Sequence, residues 1–400
     1  MAGRADRGVT PLQFVVGFGM VSACADVVYE GARSLIGPYL VSLGASAGVV
    51  GLVTGAGEAA ALVLRLVTGR LADRTRRPWP QTAVGYALTA VCVPLLALTS
   101  SLLPAALLYN GERVGKAVRT PARDSMLAHA SASLGRGWAF GLHEALDQVG
   151  AMAGPLLLAA VLALGGSDHL AFAVLAVPGA LALLVLARLR RAAPDPSLWE
   201  PEAEVAERKR LRLGRGLPRR FWHYAAFSAT TMLGFSTWGV LTVHLTHRHL
   251  VPTAVVPVLY AVAMAAAGAA AVAFGRVYDR VGLRGLLVLP PLAVAVPLLA
   301  FSDQRLALVA GAVVWGAATG VHDSTLRAAV TGLVPSQRRG AGFGTFSAVY
   351  GLGWLAGAAV IGSLYERSAA AATWYVAGVQ SVALLLLLPL VRRPAAGTRG

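Results

Sequence analysis

The sequence predicts an all-α polytopic membrane protein. It reads as twelve spanning helices in two pseudo-symmetric six-helix bundles, with both termini cytoplasmic. Three observations predict this: a composition too apolar for a soluble domain, basic residues gathered on one side, and an internal repeat. Of 400 residues, 56% are hydrophobic and 14% are charged, against roughly 25% charged in ordinary soluble domains. The mean hydropathy is +0.64. These figures also exclude a disordered chain, a coiled coil and a disulfide scaffold. The net charge of +16 would point to nucleic acid on a soluble chain, so the positions of the charges decide.

A spanning helix needs about 20 mostly apolar residues. Twelve such stretches run along the chain, at 14–40, 46–68, 81–100, 102–126, 137–164, 169–189, 221–245, 253–274, 285–302, 304–328, 341–365 and 371–391. The polar segment 190–220, with Pro194, Pro196, Pro201 and Pro218, separates six spans from six. It reads as a cytoplasmic linker with a short interfacial helix around Glu202 to Leu213. The organisation is therefore a tail at 1–13, a six-helix bundle at 14–189, the linker at 190–220, a second bundle at 221–391 and a tail at 392–400. Met1 to Gln13 precedes a full-length span without a small-residue cleavage site, so no removable signal peptide is expected. Cys24 and Cys92 lie in apolar stretches without metal-ligand spacing and read as small buried hydrophobes.

The basic residues give the orientation. With both termini inside, 28 of the 35 Lys and Arg fall on the terminal side, Arg119 and Arg123 among them, and three fall in the opposite loops. This is the positive-inside pattern of a multi-pass membrane protein; a nucleic-acid binder has no reason to alternate in this way.

The repeat is read from three pairs of segments. Gly69-Arg70-Leu71-Ala72-Asp73-Arg74 recurs as Gly275-Arg276-Val277-Tyr278-Asp279-Arg280, at an offset of 206 residues. Asp124-Ser125-Met126-Leu127 recurs as Asp323-Ser324-Thr325-Leu326 at 199. Gly141, Gly150 and Gly154 recur as Gly344, Gly353 and Gly357 at 203. Offsets this similar predict a two-fold repeat of six spans with a cleft between the halves.

On these residues the chain resembles the major facilitator superfamily over its whole length. Gly69 to Arg77 is similar to the family's motif between helices 2 and 3, with Arg76 where Gly is usual and Pro78 where a base is usual. The second copy keeps Gly282 and Arg284 and has Leu283 for Arg. Gly141, Gly150, Gly154 and Pro155 resemble the helix 5 motif of proton-coupled antiporters, with Leu158 and Ala159 in place of its trailing Gly pair. Arg113 stands where the family often has a membrane-embedded arginine, and Lys116 replaces the usual Gln. The resemblance implies a cytoplasmic gate motif at Gly69, Arg70, Asp73, Arg74, Gly275, Asp279 and Arg280. There, a carboxylate can cap a neighbouring helix while the arginines pair across the seam. In helix 5, the glycines allow close helix approach and Pro155 a bend.

Ionisable residues deep in a span are costly and are functional candidates by default. Asp26 lies 11 residues past Val15, about 16 Å at ~1.5 Å per residue, close to the middle of a ~30 Å core. Glu58, Arg113 and Asp147 fall at similar depths. Asp26, Glu30 and Arg33 form one stripe beside Tyr29, and span 5 adds Glu144 and Asp147. Six deep acids (Asp26, Glu30, Glu58, Glu112, Glu144, Asp147) outnumber four deep bases (Arg33, Arg65, Arg113, Lys116) by two. In a dry cleft such an excess calls for a protonated acid or a cationic ligand. Asp26, Glu30, Arg33, Glu58, Arg113, Glu144 and Asp147 are thus the candidates for proton coupling. The C-terminal half offers aromatic surface instead. Tyr29, Trp238, Trp315, Tyr350 and Trp354 are the candidate substrate wall, and His244 and Tyr260 belong to the same surface.

These features converge on a secondary transporter of the bacterial inner membrane that works by alternating access as a monomer. The expected function is proton-coupled efflux of small amphipathic or cationic compounds. Its expected partners are protons, a small-molecule substrate and the lipid bilayer, without nucleic acid, metal or cofactor. The alternatives are an uptake symporter of a small metabolite and, more remotely, a polytopic membrane enzyme. The latter would need a catalytic cluster that the sequence does not offer.

Overall fold

The structure is a computed structural model and describes residues 9–75, 77–131, 134, 136–199, 217–334 and 339–392. The helix expected around Glu202 to Leu213 lies outside the described residues. The described chain is helical and has no strands. Its helices are α1 (Pro11–Ser42), α2 (Ala47–Val63), α3 (Arg65–Thr75), α4 (Pro78–Leu95), α5 (Leu102–Ser131), α6 (Arg136–Ala163), α7 (Asp168–Val174) and α8 (Ala176–Ala192). After the linker come α9 (Arg219–Leu233), α10 (Trp238–His247), α11 (Val255–Val281), α12 (Leu289–Ala300), α13 (Arg305–Leu333), α14 (Arg339–Arg367) and α15 (Ala369–Arg392).

Each of the twelve expected stretches falls on helix. Among the described residues, nine helical stretches are long and apolar enough to cross a membrane. One of these, Val255–Ala300, has 46 residues, enough for two crossings. The remaining two expected spans are α5, which carries internal charges, and the α9–α10 pair.

Two expectations change in detail. The segment Gly69–Arg74 is helical, part of α3, rather than a loop. The stretch 221–245 is not one continuous helix. It stops at Leu233 and restarts at Trp238. The interruption is stabilised from α15. The Gln380 side-chain amide donates to the carbonyls of Thr231 (2.8 Å) and Gly234 (2.9 Å), and its Oε1 accepts from the Thr231 hydroxyl at 3.0 Å. These bonds occupy carbonyls that a helix end leaves open. Thr237 then caps α10, its hydroxyl accepting from Val240 N at 3.4 Å.

Packing groups the helices into two compact units. The first comprises Met1–Tyr39, Leu64–Arg212 and Thr253–Ala261. Its inner packing brings Phe14, Phe18, Trp79 and Tyr86 together with Met126 and Leu127. The second comprises Leu40–Val63, Leu213–Pro252 and Val262–Gly400, so α2 packs with helices from late in the chain. Small residues make this possible. A Cβ on Gly51 would lie 2.2 Å from the Ala358 carbonyl oxygen, and one on Gly362 would lie 2.4 Å from that of Ala47.

The internal repeat reappears as a repeated contact. A Cβ on Gly150 or Gly154 of α6 would meet the α1 carbonyls of Ala23 and Val27, at 2.2 and 2.3 Å. On Gly353 or Gly357 of α14 it would meet the α9 carbonyls of Ala229 and Leu233, at 2.6 and 2.5 Å. The glycine motif therefore seats α6 on the acid-bearing stretch of α1, and its second copy seats α14 on the end of α9. Gly141 and Gly275 have nothing within 4 Å of such a Cβ. Gly282 is held at φ +60°, a left-handed turn that favours glycine.

Candidate functional site

In the first unit, a ring of ionisable side chains is assembled from α1, α4, α5 and α6. On α5, Glu112, Arg113, Lys116, Arg119 and Arg123 recur at three- and four-residue spacing and share a helix face. Tyr29 of α1 lies among them. The Lys116 ammonium donates to the Tyr29 hydroxyl at 2.8 Å and lies 4.0 Å from the ring centroid. The guanidiniums of Arg113 and Arg119 lie 4.6 and 5.8 Å from the same centroid, within or near the range of cation–π attraction. Glu112, 1% exposed, holds Arg113 at 2.5 Å and Arg119 at 3.7 Å. Arg119 also donates to the Thr89 hydroxyl.

Toward the end of α5 a second network joins the first. Arg123 reaches Asp147 at 3.8 Å, Asp124 at 3.0 Å and the Ser22 hydroxyl at 3.3 Å. Ser22 in turn meets Tyr86 at 2.9 Å and His143 Nε2 at 3.4 Å. His143 Nε2 lies 3.8 Å from Asp147. Asp26 sits between the networks, 8% exposed. Among the described residues it makes no direct hydrogen bond or ion pair. It does feel the like charges of Asp147 and Glu30 and the opposite charges of Lys116 and Arg119.

The predicted stripe on α1 is present but not self-contained. Glu30 pairs with Arg33 at 3.6 Å and accepts a hydrogen bond from Tyr260. Tyr260 is thus a partner of the acidic stripe rather than part of the aromatic surface expected of the C-terminal half. Sequence reasoning missed this because the two residues are 230 positions apart. Glu58 is buried in the second unit, and Glu144 is exposed on α6. His244, too, has another role: it meets the Tyr365 hydroxyl at 2.8 Å and the Ser302 carbonyl at 3.4 Å.

The charge balance differs from the sequence tally. Arg119 is 2% exposed and Arg123 is mostly buried. Both were assigned from position to the cytoplasmic rim, yet both are ion-paired inside the network. With them, and without the exposed Glu144, the deep set has six bases against five acids, so the acidic excess disappears. The α5 face explains this: Arg119 and Arg123 continue the stripe of Glu112 and Lys116, so the packing that buries those residues also buries the arginines.

In the second unit, the candidate wall residues Trp238, Trp315, Tyr350 and Trp354 belong to one continuous run of ring contacts. Trp238 lies 5.2 Å from Trp315, and Trp315 stacks on Phe235 at 6.3 Å. Phe235 meets His322 at 5.0 Å, His322 meets Tyr350 at 6.2 Å, and Tyr350 meets Trp354 at 6.0 Å. The connecting members, Phe235 and His322, were not among the predicted site residues. The fifth candidate, Tyr29, belongs to the charged network of the first unit. Of the gate motif, Arg70, Arg74, Asp279 and Arg280 are exposed and form no ion pair among the described residues. The side chain of Asp73 lies outside them.

The family model of the Major Facilitator Superfamily matches residues 18–290 and, in a second match, 234–400. The chain belongs to the major facilitator superfamily. It is 48% identical over 379 residues to an uncharacterized protein of Mycobacterium tuberculosis, covering 94% of this chain and 93% of that one. It is 25% identical over 397 residues to an uncharacterized MFS-type transporter of Methanocaldococcus jannaschii, with 96% of each covered. Among solved structures, the nucleoside transporter NupG shares the fold with a TM-score of 0.71 at 14% identity, over 95% of this chain and 100% of that one. A bacterial homolog of the human lysosomal transporter Spinster, inward-facing and occupied, matches with a TM-score of 0.67 at 15% identity over 94% of both chains. As a member of this superfamily the chain is a multi-pass membrane transporter of small molecules. The charged network and the aromatic run are the two places where its polar chemistry concentrates.

Proposed function

We propose that this transporter exports small amphipathic compounds in exchange for protons, by alternating access, as a monomer in the bacterial inner membrane. The observation that carries the proposal is Asp26. It is a buried carboxylate with no direct partner among the described residues, set against Asp147 and Glu30 and within the field of Lys116 and Arg119. A proton on Asp26 relieves the repulsion from Asp147, and losing it restores attraction to Lys116. The two protonation states therefore favour different arrangements of α1, α5 and α6, as coupling requires. Arg33, Arg113, Glu144 and Glu58 complete the set of charges that respond. Cationic cargo loses its main support, because Arg119 and Arg123 join the buried network and leave no acidic excess in it.

The gate motif is assigned to a breakable cytoplasmic latch. Exposure of Arg70, Arg74, Asp279 and Arg280 suits a latch, since surface ion pairs are worth only about 0–1 kcal/mol.

The test uses inverted membrane vesicles bearing the full chain, acidified inside, with a lumenal pH dye. Adding amphipathic cargo should release protons from the lumen, and Asp26→Asn should abolish this release while the protein remains in the membrane. Unchanged release in Asp26→Asn overturns the assignment. Cargo and protons moving in the same direction would identify an uptake symporter instead.

A further inference from the structure

We propose that the break between α9 and α10, with His322 and the rings around it, is the cargo-recognition site. We further propose that its cargo is an uncharged aromatic compound bearing an amide-type group. This inference deepens the exporter proposal and rests on it.

The first observation is an unsatisfied imidazole. His322 is 3% exposed, and both its ring nitrogens are buried without a hydrogen-bond partner among the described residues. A neutral imidazole presents one N–H donor and one lone-pair acceptor, and native interiors rarely leave both unmet. His143 and His244 each bond through at least one nitrogen, to Ser22 and to Tyr365. His322 alone among these three is held ready and unmet.

The second observation is the broken helix. Phe235, 5.0 Å from His322, lies in the interrupted segment, and the next residue, Ser236, also has a buried hydroxyl without a partner among the described residues. The Ser236 carbonyl is already taken by Trp315 Nε1 at 2.8 Å, so the backbone is fixed while the hydroxyl stays available. Non-helical backbone at membrane depth occurs where it is buried in protein or lines a cavity, and discontinuous helices commonly form transporter binding sites.

The third observation is the repeat. The offsets of 206, 199 and 203 carry Tyr29 onto Phe235, Lys116 onto Trp315, Arg123 onto His322 and Asp147 onto Tyr350. The contacts correspond. Lys116 lies over Tyr29 and Arg123 meets Asp147 at 3.8 Å; Trp315 stacks on Phe235 and His322 meets Tyr350 at 6.2 Å between ring centroids. Three of the four positions hold charges in one repeat and rings in the other, while Tyr29 and Phe235 are rings in both. The ionic copy suits protons. The ring copy offers aromatic faces and a donor–acceptor pair with no counter-charge bonded to it among the described residues, which selects a neutral, aromatic, amide-like ligand over an ion. Asp323, the next residue, is exposed. It is rotated about 100° from His322 on the helix.

Three probes share one ring system and differ in charge: naphthylacetamide, naphthylacetate and naphthylmethylamine. Binding is measured by calorimetry on the purified full chain in lipid nanodiscs at neutral pH. The amide should bind about tenfold more tightly than either ion, equivalent to ~1.4 kcal/mol. His322→Phe should remove that preference and His322→Gln should retain most of it. Without ligand, His322→Phe should unfold at or above the wild-type temperature, because it deletes two unmet polar atoms. The proposal is overturned if the amide has no advantage, if His322→Phe keeps it, or if His322→Phe lowers the unfolding temperature. Selectivity without proton release would leave this site standing and remove the exporter reading. Proton release without selectivity would do the reverse.

Discussion

Replacing Gln380 by Leu keeps the bulk of a side chain that is 1% exposed and removes every hydrogen bond it makes to α9. Three are lost: those to the Thr231 and Gly234 carbonyls at 2.8 and 2.9 Å, and that from the Thr231 hydroxyl at 3.0 Å. Side-chain bonds between membrane helices average about 0.6 kcal/mol, which puts the loss near 2 kcal/mol. The value of about 1 kcal/mol usual in soluble proteins raises it to near 3. The expected destabilisation is therefore about 2–3 kcal/mol, read by titrating the full chain with denaturing detergent in mixed micelles. Thr231→Val alone should cost about a third as much. Added to Gln380→Leu it should cost little more, because the two share one bond. A loss below ~0.5 kcal/mol for Gln380→Leu would refute the reasoning: the carbonyls at the break would then be satisfied without α15.

Four further outcomes are measurable by the same unfolding titration. Gly154→Leu should destabilise by at least ~2 kcal/mol, since its Cβ would fall 2.3 Å from the Val27 carbonyl oxygen. Gly141→Ala, in the same motif but with open space around it, should be neutral or gain up to about 1 kcal/mol; equal costs at the two sites would refute a packing role confined to Gly150 and Gly154. Arg119→Met should cost about 1–2 kcal/mol by removing the bond to Thr89 and one of the two cations on Glu112, and adding Glu112→Gln should cost more again, because it takes the carboxylate from buried Arg113. Tyr260→Phe should cost about 1.5–3 kcal/mol by removing a hydrogen bond to the Glu30 carboxylate. A loss indistinguishable from zero would mean that Glu30 does not depend on Tyr260.

Much of the architecture was legible because it rests on local or periodic signals. Spans are read from runs of apolar residues, and all twelve stretches fall on helix. The glycine motif was read as a means of close helix approach, and Gly150 and Gly154 do press on α1. Part of the candidate site was legible for the same reason: Asp26, Glu30, Arg113 and Asp147 stand out as charges at depth. Phe235 and His322 gave no such signal, since a Phe and a His in apolar spans look like packing. Gly234, with Ser236 and Thr237 just before Trp238, could have suggested the break in the seventh span, because Ser and Thr are good helix caps.

The sequence by itself determined that this chain crosses a membrane many times, that its basic residues lie mainly on one side, and that it is built twice over. Composition, charge placement and repeat offsets are properties of the chain, and no packing can undo them. Only the tertiary structure decided which charges neutralise one another and where a helix stops. Arg119 and Arg123 count as rim residues by position and as buried partners by the face they occupy. The break after Leu233 depends on an amide 146 residues away that can take up its carbonyl. Ion pairs and helix-end hydrogen bonds are satisfied by proximity in space, which linear spacing does not report beyond a helix turn.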